Sequence, residues 1–220
     1  MDGKMRVGVL ASGGGTNLQS LIDRCEDGRI GARIVVVVSD REGARALERA
    51  RAHGIAAEHV PVPRTGTPGW LEADRRITEI LQLAECGLIC MAGYMRVIGP
   101  CLLGAFPHRI MNIHPALLPA FKGMHGPRDT LAYGCKVAGT TVHFADPEFD
   151  TGPIITQAVV PVREDDTEAT LAARVLAQEH EIYAQAVQWF AEGRLRVEGR
   201  RVVVSGVPTA GRLCADVGPA

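Results

Sequence analysis

Residues 34–38 read Ile-Val-Val-Val-Val, an unbroken β-branched run. A strand that is apolar on both sides has no face to give to water. It belongs inside a sheet covered by helices on both faces, and such sheets are parallel. The neighbouring sequence obeys that constraint. Residues 5–10 (MRVGVL) predict a first strand, followed by a glycine-rich turn and an amphipathic helix from about Thr16. After 34–38 come a helix (44–53), a short strand (55–60), a Pro/Gly loop (61–69) and a helix (70–86). LICMA at 88–92 and RIMNI at 109–113 predict two more buried strands. Residues 137–145 and 154–160 predict longer strands joined by the turn DPEFDTGP, then a long helix (167–191) and a loose hairpin or strand at 194–204. This βα alternation predicts an α/β fold: an open, doubly wound, mostly parallel sheet with helices on both faces. With 220 residues, 46% of them hydrophobic, and no internal repeat or linker, a single domain over residues 1–205 is expected, with 206–220 as a flexible tail.

Charge narrows the partners. Lys+Arg is 24 and Asp+Glu is 25, a net charge of -1, with no basic stripe of the kind a nucleic-acid binder uses, so none is expected. No basic–apolar–small leader opens the sequence and no apolar run is long enough for a bilayer; a cytoplasmic location away from membranes is expected. The six cysteines (Cys25, Cys86, Cys90, Cys101, Cys135 and Cys214) are dispersed and form no C-x-x-C pair. They read as reduced thiols acting as small hydrophobes, and their spacing predicts no structural metal.

In a doubly wound sheet, ligands sit beyond the carboxyl ends of the strands. The first such place is Ser12-Gly13-Gly14-Gly15-Thr16-Asn17. Glycines let backbone N–H groups approach an anion, and a helix start adds unsatisfied donors and partial positive charge. Thr16 followed by Gln19 fits a capping box with Thr16 as N-cap. The third glycine of a dinucleotide fingerprint is absent, Leu18 standing there, and no Lys-Ser/Thr completes a P-loop, so a single phosphate monoester suits the loop best. Asp40, after the second strand, is a weak candidate for a ribose-binding acid. The second place is Asn112-Ile113-His114-Pro115. In a strand, Asn112 and His114 point to one side, and an amide beside an imidazole is what a developing oxyanion requires. Asp150, in Phe-Asp-Thr-Gly-Pro, reads locally as an Asx-turn residue. On the 167–191 helix, Glu179 falls within the apolar stripe of Leu171, Val175, Ile182, Ala186 and Phe190. A carboxylate there needs a partner, either a buried arginine or a ligand's amine.

LASGGGTNLQ (10–19), GYMRVI (93–98), NIHPALLP (112–119), TTVHF (140–144), DTGP (150–153) and QEHEIY (178–183) occur in order. Over roughly residues 5–195 the chain thereby resembles the phosphoribosylglycinamide formyltransferases, folate-dependent enzymes of purine synthesis. The resemblance implies a formyltransferase-like fold with a phosphate-binding half (about 1–105) and a folate-binding and catalytic half (about 106–205). It implies Asn112, His114 and Asp150 as catalytic residues. Gly15, Thr16, Asn17, Leu18 and Gln19 would hold the ribonucleotide phosphate, with Glu179 at the substrate amine. Met95, Arg96, Val97, Ile98 and Asn112 would line the folate subsite. The expected co-substrate is 10-formyltetrahydrofolate and the acceptor glycinamide ribonucleotide, without metal, in a monomer or homodimer. Related formyl transferases or formyltetrahydrofolate hydrolases are the alternative. The chain departs from the family pattern at Gly69-Trp70, where an arginine is common and which Arg64 precedes by a few residues. It departs again at Ala184, where a proline is common.

Overall fold

A computed structural model describes residues 3–207 and 211–213. The chain divides into two compact units, residues 1–112 with 145–147, and 113–144 with 148–220. The boundary falls inside a strand, Ile110–His114.

The first unit alternates strand and helix: β1 (Met5–Leu10), α1 (Thr16–Glu26), β2 (Ala32–Ser39), α2 (Arg45–Ala52), β3 (Ala56–His59), α3 (Pro68–Leu83), β4 (Leu88–Met91), α4 (Pro100–Ala105) and β5 (Ile110–His114). The strands run parallel in the order β3-β2-β1-β4-β5. The order reverses after β3, so right-handed crossovers set α1 and α2 on one face and α3 and α4 on the other. Val36 and Val38 pack with Leu10, Ile89 and the α3 residues Ala73, Ile77 and Leu81 in one core. The β-branched run is thus buried, as its composition requires. This is the doubly wound α/β arrangement expected.

The second unit holds α5 (Gly126–Tyr133), β6 (Val137–Phe144), β7 (Ile154–Pro161), α6 (Glu168–Ala191), β8 (Leu195–Glu198), β9 (Arg201–Val204) and β10 (Gly211–Leu213). Its strand order is β6-β7-β9-β8, with β10 also beside β7. β6 and β7 are antiparallel and so are β8 and β9. Leu171 and Val175 of α6 pack on Ala138 and Val160, and Thr167 and Thr170 close a capping box at the start of that helix.

Helices α4 and α5 have no counterpart in the sequence reading. Their signals are local: Pro100 and Pro127 at the starts and Gly134 in the left-handed conformation at the end of α5. Cys214 and most of the expected tail lie outside the described residues, although Gly211–Leu213 pairs with β7.

Candidate active site

In the first unit the strand order switches between β1 and β4, and the loops leaving these strands are tied together. Ser12 N–H donates to Gly93 O (3.0 Å) and Ser12 Oγ accepts from Met95 N–H (2.8 Å). The glycine loop enters α1 differently from the capping box expected. Gly15, not Thr16, is the N-cap. It lies at φ 69°, and no side chain caps the helix. A Cβ on Gly15 would come within 2.9 Å of Ala46 Cα, so close backbone approach decides the cap. The amides of Thr16, Asn17 and Leu18 precede the first helical bond, Gln19 N–H to Gly15 O, and N–H groups so placed favour an anion. Leu18 is fully buried and has only its backbone to offer. Gln19 is taken up within the chain, donating to Asp23 (2.8 Å) and accepting from Arg49 (3.0 Å). Arg49 was not singled out in the sequence; α2 brings its Nε to 2.9 Å from Gly14 O.

Asp40 proves to be an anchor: its buried carboxylate accepts from Arg96 Nε at 2.7 Å. Met95 and Val97 of the same segment are exposed apolar side chains. Trp70, at the expected arginine's place, donates its indole N–H to Val97 O (3.1 Å). Arg64 is exposed, and its carbonyl receives the Thr67 hydroxyl.

Asn112 ends the first unit and His114 lies two residues on in the same strand, so the two share a side of β5. In the second unit His114 Nδ1 sits 3.3 Å from Asp150 Oδ2, and both residues are buried. Sequence spacing carried no sign of this. The far side of Asp150 faces His143, with Nε2 at 3.7 Å from Oδ1, and Gly123 N–H donates to Oδ2 (3.1 Å). His143 thus lies against Asp150 on the side away from His114. Asp150 itself stands at φ 53°, a left-handed conformation that Asp tolerates better than most residues. The turn is drawn tight at Gly152, whose Cβ would lie 1.7 Å from Phe144 O. The segment after His114 is fastened to β6: Thr140 Oγ1 donates to His114 O (2.9 Å) and Thr141 Oγ1 to Ala116 O (2.7 Å).

The ring of His114 has acceptors on both sides, since Nε2 lies 2.9 Å from Phe121 O. A neutral imidazole has one N–H and serves one of them; a protonated ring serves both. Burial opposes the charge and dominates, so the His114 pKa is lowered, although Asp150 and the Phe121 carbonyl act to raise it. Desolvation thus outweighs the pull of the carboxylate at this ring. For Asp150, burial pushes the carboxyl up, but His143, His114 and the Gly123 N–H together hold it below its ordinary value.

Glu179 is 8% exposed, within the buried face of α6 as the helical wheel requires. Ala184 is buried inside the continuous helix. Cys25, Cys86, Cys90, Cys101 and Cys135 are free thiols. Burial raises Cys25 to about 11 and Cys86 to about 12, which suits packing rather than nucleophilic work. Among the described residues no three His, Cys, Asp or Glu side chains group to hold a metal ion, and no helix is long and apolar enough to cross a membrane.

The formyl transferase family model matches residues 5–187. The chain belongs to the formyl transferase family. It is 38% identical to the phosphoribosylglycinamide formyltransferase of Escherichia coli, over 92% of this chain and 94% of that one. It is 42% identical to the enzyme of the same description from Mycobacterium tuberculosis, with 94% of each covered. Glycinamide ribonucleotide transformylase 1 from Symbiobacterium toebii superposes with a TM-score of 0.87 at 50% identity, covering 93% of this chain and 95% of that one. A formyltetrahydrofolate deformylase from Pseudomonas syringae shares the fold at TM-score 0.84 and 27% identity. There 91% of this chain covers 66% of the other.

Proposed function

We propose that this chain transfers the formyl group of 10-formyltetrahydrofolate to the amine of 5'-phosphoribosylglycinamide, in the cytoplasm, as a step of purine synthesis. The observation that carries the reading is the buried His114–Asp150 pair, 3.3 Å apart, with His114 on the strand that also bears Asn112. The activities of the similar formyltransferases support it. The amides of Gly15 to Leu18 receive the acceptor's phosphate, and Glu179 receives its amine. Met95 to Ile98, with Asn112, hold the folate. The partners are these two small molecules.

Attack of the amine on the formyl carbon forms a C–N bond and a tetrahedral oxyanion. The Asn112 amide donates to that oxygen; one such donor is worth about 2.7–4 kcal/mol in the transition state. Neutral His114 accepts the proton that the attacking nitrogen sheds, and the resulting imidazolium faces Asp150. Collapse restores the carbonyl and breaks the bond to the folate nitrogen, which takes the proton from His114. No covalent enzyme intermediate and no metal enter.

Purified protein given both substrates should form formylglycinamide ribonucleotide and tetrahydrofolate in equal amounts; no turnover under those conditions overturns the reading. Formate release without an amine acceptor favours the second reading, a formyltetrahydrofolate hydrolase, which the shared fold of the Pseudomonas deformylase keeps in view.

A further inference from the structure

Between β4 and α4, the segment Gly93–Gly99 carries exposed apolar side chains on a backbone held at alternate residues. Met95 is 50% exposed and Val97 38%. An ordinary surface loop would relax to cover them. Here Gly93 O and Met95 N–H are tied to Ser12, Val97 O to the Trp70 indole, and Gly99 N–H to Asp74 Oδ1 (2.9 Å). Cys101 N–H follows, donating to Asp74 Oδ2 (2.8 Å), so one buried carboxylate closes both the end of the segment and the start of α4. The Arg96 side chain is held by Asp40.

Two of these holds come from one face of α3. Trp70 and Asp74 are four residues apart, hence neighbours on the helix surface. Thr67 caps the helix by accepting from Trp70 N–H, and Pro68 opens it. The indole is thereby set before it meets Val97. Asp74 is 4% exposed, and a Cβ on Gly99 would lie 2.4 Å from its carboxylate, so the fit admits glycine alone. Neither residue belongs to a motif by which the family was recognised.

We infer that Trp70 and Asp74 are positioning residues for the folate side of the reaction. They keep residues 95–98 in a preformed, outward-facing shape that receives the flat co-substrate ring, without touching the reacting atoms. The inference rests on the folate subsite proposed above. A segment already ordered loses less freedom on binding, and that saving appears in affinity.

Trp70→Phe keeps an aromatic ring and loses the N–H, together with some of the bulk that packs on the core. It should raise KM for 10-formyltetrahydrofolate about fivefold, the worth of one net hydrogen bond, with kcat and KM for the amine substrate unchanged. Asp74→Asn, which puts N–H₂ against backbone N–H groups, should raise the same KM more. Val97→Ala and Met95→Ala test the ground beneath. If both leave the folate KM normal, the subsite assignment fails and the inference with it. If they raise it while Trp70→Phe is normal, or changes kcat and both KM values alike, the inference alone is overturned. Should Asp74→Asn fail to fold, Trp70→Phe decides.

Discussion

At His114, burial and charge act in opposite directions on one ring. Burial lowers its pKa; the Asp150 carboxylate and the Phe121 carbonyl raise it. A ring kept neutral by burial, yet flanked by two acceptors, is suited to take a proton and hold it briefly. Asp150→Asn removes one raising influence while leaving the shape. The His114 pKa should then fall further, moving the acid limb of the kcat/KM profile to lower pH. kcat should drop by about 10²–10⁴ as the imidazolium loses its partner. A pH–rate profile of the variant checks both, and an acid limb that stays in place or moves upward contradicts the pairing.

Among elements, the turn between β6 and β7 does the most to place chemistry. Its shape depends on Gly152 passing against Phe144 O and on Phe144 N–H donating to Pro153 O (2.9 Å). Gly152→Ala should cost at least about 1–3 kcal/mol of stability through overpacking and lower kcat by displacing Asp150. Gly13→Ala, where a Cβ meets nothing within 4 Å, should stay within about 0.5 kcal/mol. Denaturant titration of the two variants checks the contrast. A cavity of about 470 Å³ lined by Lys4, Arg6, Arg33, Glu26 and His53 marks the amino ends of β1 and β2, away from the loops that carry the motifs. Two of its cations serve helix ends: Lys4 Nζ donates to Cys25 O and Arg6 Nε to Ala84 O. The carboxyl ends of helices attract cations in this way.

Over the whole molecule, the shifts at His114 and Asp150 become a dependence of stability on pH. The folded His114 pKa lies below its unfolded value, so the unfolded chain binds that proton first. Its contribution is complete above about pH 6.5 and is lost as pH falls toward the folded value. The Asp150 contribution is present above about pH 3.9 and is lost as pH falls further, toward its own lowered pKa. Melting temperature should therefore decline in two stages on acidification, and His114→Gln should remove the first; thermal unfolding between pH 8 and pH 3 measures this. The parallel strands, the buried face of α6 with Glu179 in it, and the shared side of Asn112 and His114 were legible in the sequence, because hydrophobic period is a local property of the chain. The helix cap at Gly15, the partners of Asp40, Trp70 and Asp74, the approach of Asp150 to His114 and the direction of that ring's pKa shift were decided by tertiary structure alone. Each depends on which distant groups come within a few ångströms, and desolvation and Coulomb energy at a point are sums over all of them, whatever their place in the chain.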